Sequence, residues 1–125
     1  MNSLAAASLW IGSALGFVAV AFGAFGAHAL RERLSVEMMA VWKTANEYHF
    51  YHVFALMLVG VIARQGRLPG LDISAGCFIA GTLVFSGSLY LLAFTGTRWL
   101  GAITPIGGLL LLAGWAWLAL SLWRA

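Results

Sequence analysis

Charge is scarce in this sequence. Seven Lys or Arg and four Asp or Glu make up 9% of its 125 residues, against about 25% in an ordinary soluble domain. The basic residues form no run, which excludes the electrostatic footprint of a nucleic-acid binder and makes nucleic acid no partner. Cysteine occurs once, at Cys77. That excludes an intrachain disulfide, a paired-thiol redox centre and a zinc site built on several cysteines. The sequence also has no phosphate loop, no dinucleotide fingerprint, no HExxH and no evident nucleophile–base pair. It is read as a non-enzyme.

What is there is apolar. The apolar share is 62%, where about 45–50% is usual. A soluble fold of this size stays surface-rich and cannot hide so much apolar area. The composition therefore predicts an all-α integral membrane protein. The gaps between charges mark four spans of the length a bilayer demands: about 4–28, 44–63, 73–95 and 99–123. They form one transmembrane domain over 1–125, a four-helix bundle with short loops. Ala27-His28-Ala29 looks like a small-x-small cleavage site, but no basic n-region precedes it, so span one is read as a retained helix. Ser35 is placed to cap a short interfacial helix over about 35–43 that runs into span two. The basic residues divide almost evenly between the two membrane sides, so charge alone leaves the orientation open.

Span one presents Gly12-x-x-x-Gly16 and Gly23-x-x-x-Ala27, and span three Gly76-x-x-x-Ala80. Such faces let helix backbones approach closely in lipid. They suit packing within the chain or contact in a homo-oligomer. Trp10, Trp99 and Trp123 lie where an aromatic belt would sit, while Trp115 and Trp117 read as packing residues.

Polar groups in a span are costly and need partners. The densest set is Asn46 through His52. At helical pitch Tyr48, His49 and His52 share one face, and Asn46, Glu47 and Phe50 lie on the other side. His28 closes span one, and the loop back brings it toward the same membrane face. His28, Glu47, Tyr48, His49 and His52 thus form a candidate polar cluster. It suits a hydrogen-bond clamp between spans, a metal site, a haem or quinone site, or a proton relay; no cofactor is identified. Thr82, Ser86 and Tyr90 align on span three, with Ser88 nearby, as packing contacts or as a polar path. Thr104-Pro105-Ile106-Gly107-Gly108 is either the start of the fourth helix or a break within it, of the kind transporters use.

Several of these segments together carry a resemblance. Phe22-Gly23-Ala24-Phe25-Gly26-Ala27-His28, then Trp42 with Tyr48 and His52, then Phe85-Ser86-Gly87-Ser88-Leu89-Tyr90, then Thr104-Pro105-Ile106-Gly107-Gly108 resemble the domain of unknown function 423 family. Its members are small bacterial inner-membrane proteins, similar to eukaryotic transmembrane protein 256. The resemblance implies four spans in the bacterial inner (cytoplasmic) membrane and both termini in the cytoplasm. It implies motif positions at His28, Trp42, Tyr48, His52, Ser86, Ser88, Tyr90, Thr104 and Pro105, and supplies no reaction.

Three functions are expected on these grounds. The first is a non-enzymatic structural, assembly or regulatory subunit that binds membrane lipid, a membrane-protein partner or further copies of itself. The second is a small oligomeric transporter or channel with a His/Glu/Tyr path. The third is a His-based metal, haem or quinone site. Whether Glu47 faces the bundle interior discriminates the second from the first.

Overall fold

The computed structural model describes residues 2–125, which are helical apart from short turns, with no strand among them. Helix α1 runs from Ser3 to Leu30. Asn2 starts it: its Oδ1 accepts from the Ala5 N–H at 2.8 Å, satisfying one of the donors a helix N-terminus leaves open. Helix α2 spans Val36–Gln65 and is capped by Ser35, whose Oγ accepts from the Met38 N–H at 3.1 Å. The segment expected at the interface is helical. It forms the first turns of α2, which continues without a break to Gln65.

Helix α3 spans Leu71–Thr95. Gly96 ends it in the left-handed region, φ 72°, which a Cβ would penalise. Its N–H closes on the Leu92 carbonyl at 2.8 Å. A 3-10 turn over Arg98–Ala102 leads into α4, Thr104–Trp123. Pro105 stands in the first turn of α4, where its missing N–H deprives no carbonyl of a partner. Of the two readings left open for residues 104–108, the structure has the helix start.

Each helix packs on its successor: α1 on α2, α2 on α3, α3 on α4. Short links make neighbours antiparallel, so both chain ends lie together. Asn2 Nδ2 donates to the Ala63 carbonyl at 2.7 Å, and Ser121 Oγ donates to the Pro69 carbonyl at 2.7 Å. Close approach is built from glycine. Gly12 and Gly16 of α1 face Met57 and Val53 of α2, Gly60 faces Leu9, and Gly81 and Gly114 join α3 to α4. Gly107 lies directly on the α3 backbone at Phe85. The small face of α1 is thus spent inside the chain. Gly76 instead faces open space.

α1, α3 and α4 with its leading 3-10 turn are long and apolar enough to cross a membrane. α2 has the length, but the polar residues of its first half dilute it. Phe17, Phe25, Phe54, Leu83, Phe94 and Leu109 point outward, each more than half exposed, as a bundle facing hydrocarbon rather than water requires.

Candidate functional site

The polar chemistry begins at an irregularity in α1. Residues Ala21–Gly26 form a π-helical turn, closed by the Ala27 N–H on the Phe22 carbonyl five residues back. A π turn displaces carbonyls from the regular ladder and is common at functional sites. In a bilayer those carbonyls need protein donors. Helix α2 supplies two. Trp42 Nε1 donates to the Phe22 carbonyl at 2.9 Å, and Asn46 Nδ2 donates to the Ala19 carbonyl at 2.9 Å. Trp42 and Asn46 are one turn apart, matching the spacing of the two carbonyls. Gly26 and Gly23 make room: a Cβ on Gly26 would meet the Trp42 ring at 2.7 Å, and one on Gly23 would strike the Asn46 amide.

Asn46 continues the network into α3. Its Nδ2 also donates to the Tyr90 hydroxyl at 3.0 Å, and Tyr90 Oη lies 2.9 Å from His49 Nδ1. With Asn46 donating to the Tyr90 oxygen, the Tyr90 O–H is free to donate to His49 Nδ1. His49 Nε2 is buried and has no hydrogen-bond partner. Phe22, Trp42 and Tyr90 pack around this knot, Phe22 edge-on to Tyr90 at 4.9 Å between ring centres. Sequence periodicity placed Asn46 away from His49. The structure corrects this, because Asn46 and His49 lie one turn apart and meet at the same hydroxyl.

His52 belongs to a different layer. Its Nδ1–H donates to the Tyr48 carbonyl at 2.7 Å, and its Nε2 accepts from Trp115 Nε1 of α4 at 3.0 Å. A carbonyl only accepts and an indole only donates, so the partners set a neutral imidazole with both nitrogens engaged. Phe78 of α3, fully buried, packs against both His52 and Trp115. Such a histidine has no lone pair left for a metal or haem iron. Among the described residues no three His, Cys, Asp or Glu side chains come together as a metal site.

The second predicted group joins α3 to its neighbours. Ser86 Oγ donates to the Ala45 carbonyl at 2.7 Å, and Ser88 Oγ and Thr104 Oγ1 share a hydrogen bond of 2.6 Å. Thr82 is buried, and its hydroxyl has no hydrogen-bond partner. Pro105, Gly108 and Trp115 of α4 face Tyr48, Tyr51 and His52 of α2 across a groove of about 780 Å³, with Phe85 between them. Tyr48 rests its ring on Phe85 at 4.8 Å. This groove brings together members of both predicted groups, which their separation in sequence did not suggest.

His28 does not join His49 and His52. It is exposed on the last turn of α1, where its Nδ1 accepts from the Arg31 guanidinium at 3.3 Å. Trp42 occupies the α2 position facing Gly26, and His52 lies ten residues farther on, about 15 Å along the axis. Glu47, also exposed, lines a groove of about 440 Å³ with His28. The predicted five-residue cluster is therefore three separate arrangements: His28 with Glu47, His49 with Tyr90, and His52 with Trp115 above Tyr48.

These arrangements can be set against known proteins. The family described as "Protein of unknown function (DUF423)" matches residues 22–108, the stretch from the π turn to the first turns of α4. A UPF0382 membrane protein of Staphylococcus haemolyticus is 43% identical over 114 residues, covering 91% of this chain and 93% of the relative. One of Staphylococcus epidermidis is 40% identical over 111 residues, covering 89% and 90%. The UPF0382 membrane protein YwdK of Bacillus subtilis is 40% identical over 106 residues, covering 84% and 86%. No solved structure matches the chain. The chain is a membrane protein and belongs to the family of unknown function DUF423.

Proposed function

We propose that this protein is a four-span, non-catalytic subunit of the bacterial inner (cytoplasmic) membrane, with both termini in the cytoplasm. Its role is structural, assembly or regulatory, exercised by binding lipid, a membrane-protein partner or another copy of itself. One observation carries the reading: seven polar side chains of the spans are spent on bonds between helices. Trp42, Asn46, His49, His52, Ser86, Tyr90 and Trp115 all bond across helix boundaries. They clamp α1 to α2, α2 to α3 and α2 to α4. Outward grooves remain open, among them the one lined by His28 and Glu47 and the one between Tyr48 and Trp115. Glu47, the group whose inward placement would favour a transport path, lines the smaller groove from an exposed position.

The test is flux. Purified protein in proteoliposomes under a pH or potassium gradient is expected to leak no more than empty vesicles. Proton or cation flux lost in Glu47→Gln or His52→Phe would overturn the subunit reading in favour of transport.

A further inference from the structure

We propose that the groove between the end of α1 and the start of α2 is a seat for one anionic phospholipid, its phosphate held by Arg31 and Lys43. The groove has a charged rim and an apolar floor. Arg31, Lys43 and His28 stand at the rim, and Gly23, Ala24, Ala27, Met39 and Trp42 form the rest with Asn46 and Glu47. The two walls are single helix faces. On α2, Met39, Trp42, Lys43, Asn46 and Glu47 keep to the i, i+3, i+4 pattern of one stripe. On α1 the wall is nearly bare of side chain, because Gly23, Ala24 and Ala27 contribute at most a methyl group.

Charge and position select the occupant. Arg31 and Lys43 against the single carboxylate of Glu47 leave the rim cationic. Glu47 lies one turn beyond Lys43 along α2, so the phosphate belongs at the outer level, between Arg31 and Lys43. His28 accepts from the Arg31 guanidinium at 3.3 Å, which orients the fork while leaving its other N–H groups free. The rim comes directly after the apolar length of α1, Ser3–Leu30, where headgroups meet a span. Below it the methyl-lined wall continues along the same helix, giving glycerol and the first acyl carbons an apolar track. With both termini in the cytoplasm the rim lies at the outer leaflet, where apolar burial and attraction to an anionic headgroup add together. A free anion would use the rim alone and have no need of the floor.

The inference deepens the subunit reading by naming one ligand and its place. The two fail separately: ion flux would sink the subunit reading and leave the lipid seat standing, whereas loss of the seat leaves a partner-binding subunit.

The experiment is native mass spectrometry of the full-length protein in detergent, titrated with phosphatidylglycerol. Wild type is expected to retain one lipid per chain. The exposed double variant Arg31→Gln/Lys43→Gln is expected to weaken that binding roughly 30-fold, at about 5-fold per cation removed. Arg64→Gln/Arg67→Gln removes the same charge at the opposite end and is expected to change it less than about 2-fold. Ala24→Leu fills the floor without touching charge and is also expected to abolish the retained lipid. Equal losses in both arginine-bearing double variants, or full binding in Ala24→Leu, would overturn the seat. Displacement of the lipid by millimolar inorganic phosphate would reassign the rim to a free anion and overturn it as well.

Discussion

Tyr90→Phe removes one oxygen atom from the centre of the bundle and leaves the ring in place. That oxygen accepts from Asn46 at 3.0 Å and stands 2.9 Å from His49 Nδ1. Its loss has unequal consequences. Asn46 keeps its second acceptor, the Ala19 carbonyl at 2.9 Å. His49, 3% exposed, already has Nε2 without a partner; the variant strips Nδ1 as well. Interhelical hydrogen bonds in membranes average about 0.6 kcal/mol and reach about 1.7, while a buried polar atom left bare costs about 1–3 kcal/mol. The expected destabilisation is about 1–2 kcal/mol, a 5- to 30-fold fall in the folded-to-unfolded ratio. Reversible unfolding in mixed detergent and dodecyl sulfate micelles, tracked by circular dichroism, measures it. Tyr51→Phe is the matched control, because that ring is 54% exposed, and it is expected to be neutral. If Tyr90→Phe is as stable as wild type to within about 0.3 kcal/mol, below any of these costs, the Asn46–Tyr90–His49 knot does not hold the helices and the argument for a structural clamp fails.

Two further predictions use the same unfolding assay. Gly107→Ala would bring a methyl group to 2.7 Å from Phe85 Cα and is expected to cost about 1–3 kcal/mol, whereas Gly76→Ala, into open space, is expected to be neutral or slightly stabilising; equal behaviour would refute the close α3–α4 contact. Pro105→Ala is expected to stay within about 0.5 kcal/mol of wild type, since a first-turn proline gives up no helical hydrogen bond; a loss above about 2 kcal/mol would restore the reading of a mid-membrane break.

Much of the architecture was legible because the signals are local. Gaps between charges delimit the long helices, Ser35 and Pro105 mark two helix starts, and small residues identify the face of α1 that meets α2. The site was harder to read. The phase of α2 taken from Tyr48, His49 and His52 put Asn46 on the wrong side, because one long helix touches three neighbours and each polar residue answers a different one. Asn46 answers α1 and α3, His49 answers α3, and His52 answers α4. No period in the sequence of α2 encodes which neighbour a side chain meets. The Trp42 and Trp115 donors were invisible for the same reason, since each bonds an acceptor far along the chain. His28 was misplaced because a short loop fixes only the membrane face it approaches, not its level along α2, where it stands near Trp42, about 15 Å short of His52.

That wide turn amounts to one extra residue in an otherwise continuous helix. Each residue of an α-helix advances the chain by about 100°, so the residues after Gly26 are wound out of step with those before Ala21. Deleting Ala24 would restore the ordinary winding and leave His28 and Arg31 facing much as they do now, because the wide turn itself absorbs the extra residue. It would also withdraw the carbonyls that Trp42 and Asn46 now serve. Length in this segment is therefore under tighter constraint than composition: the stretch tolerates exchange among small side chains far better than it tolerates a change of one in their number.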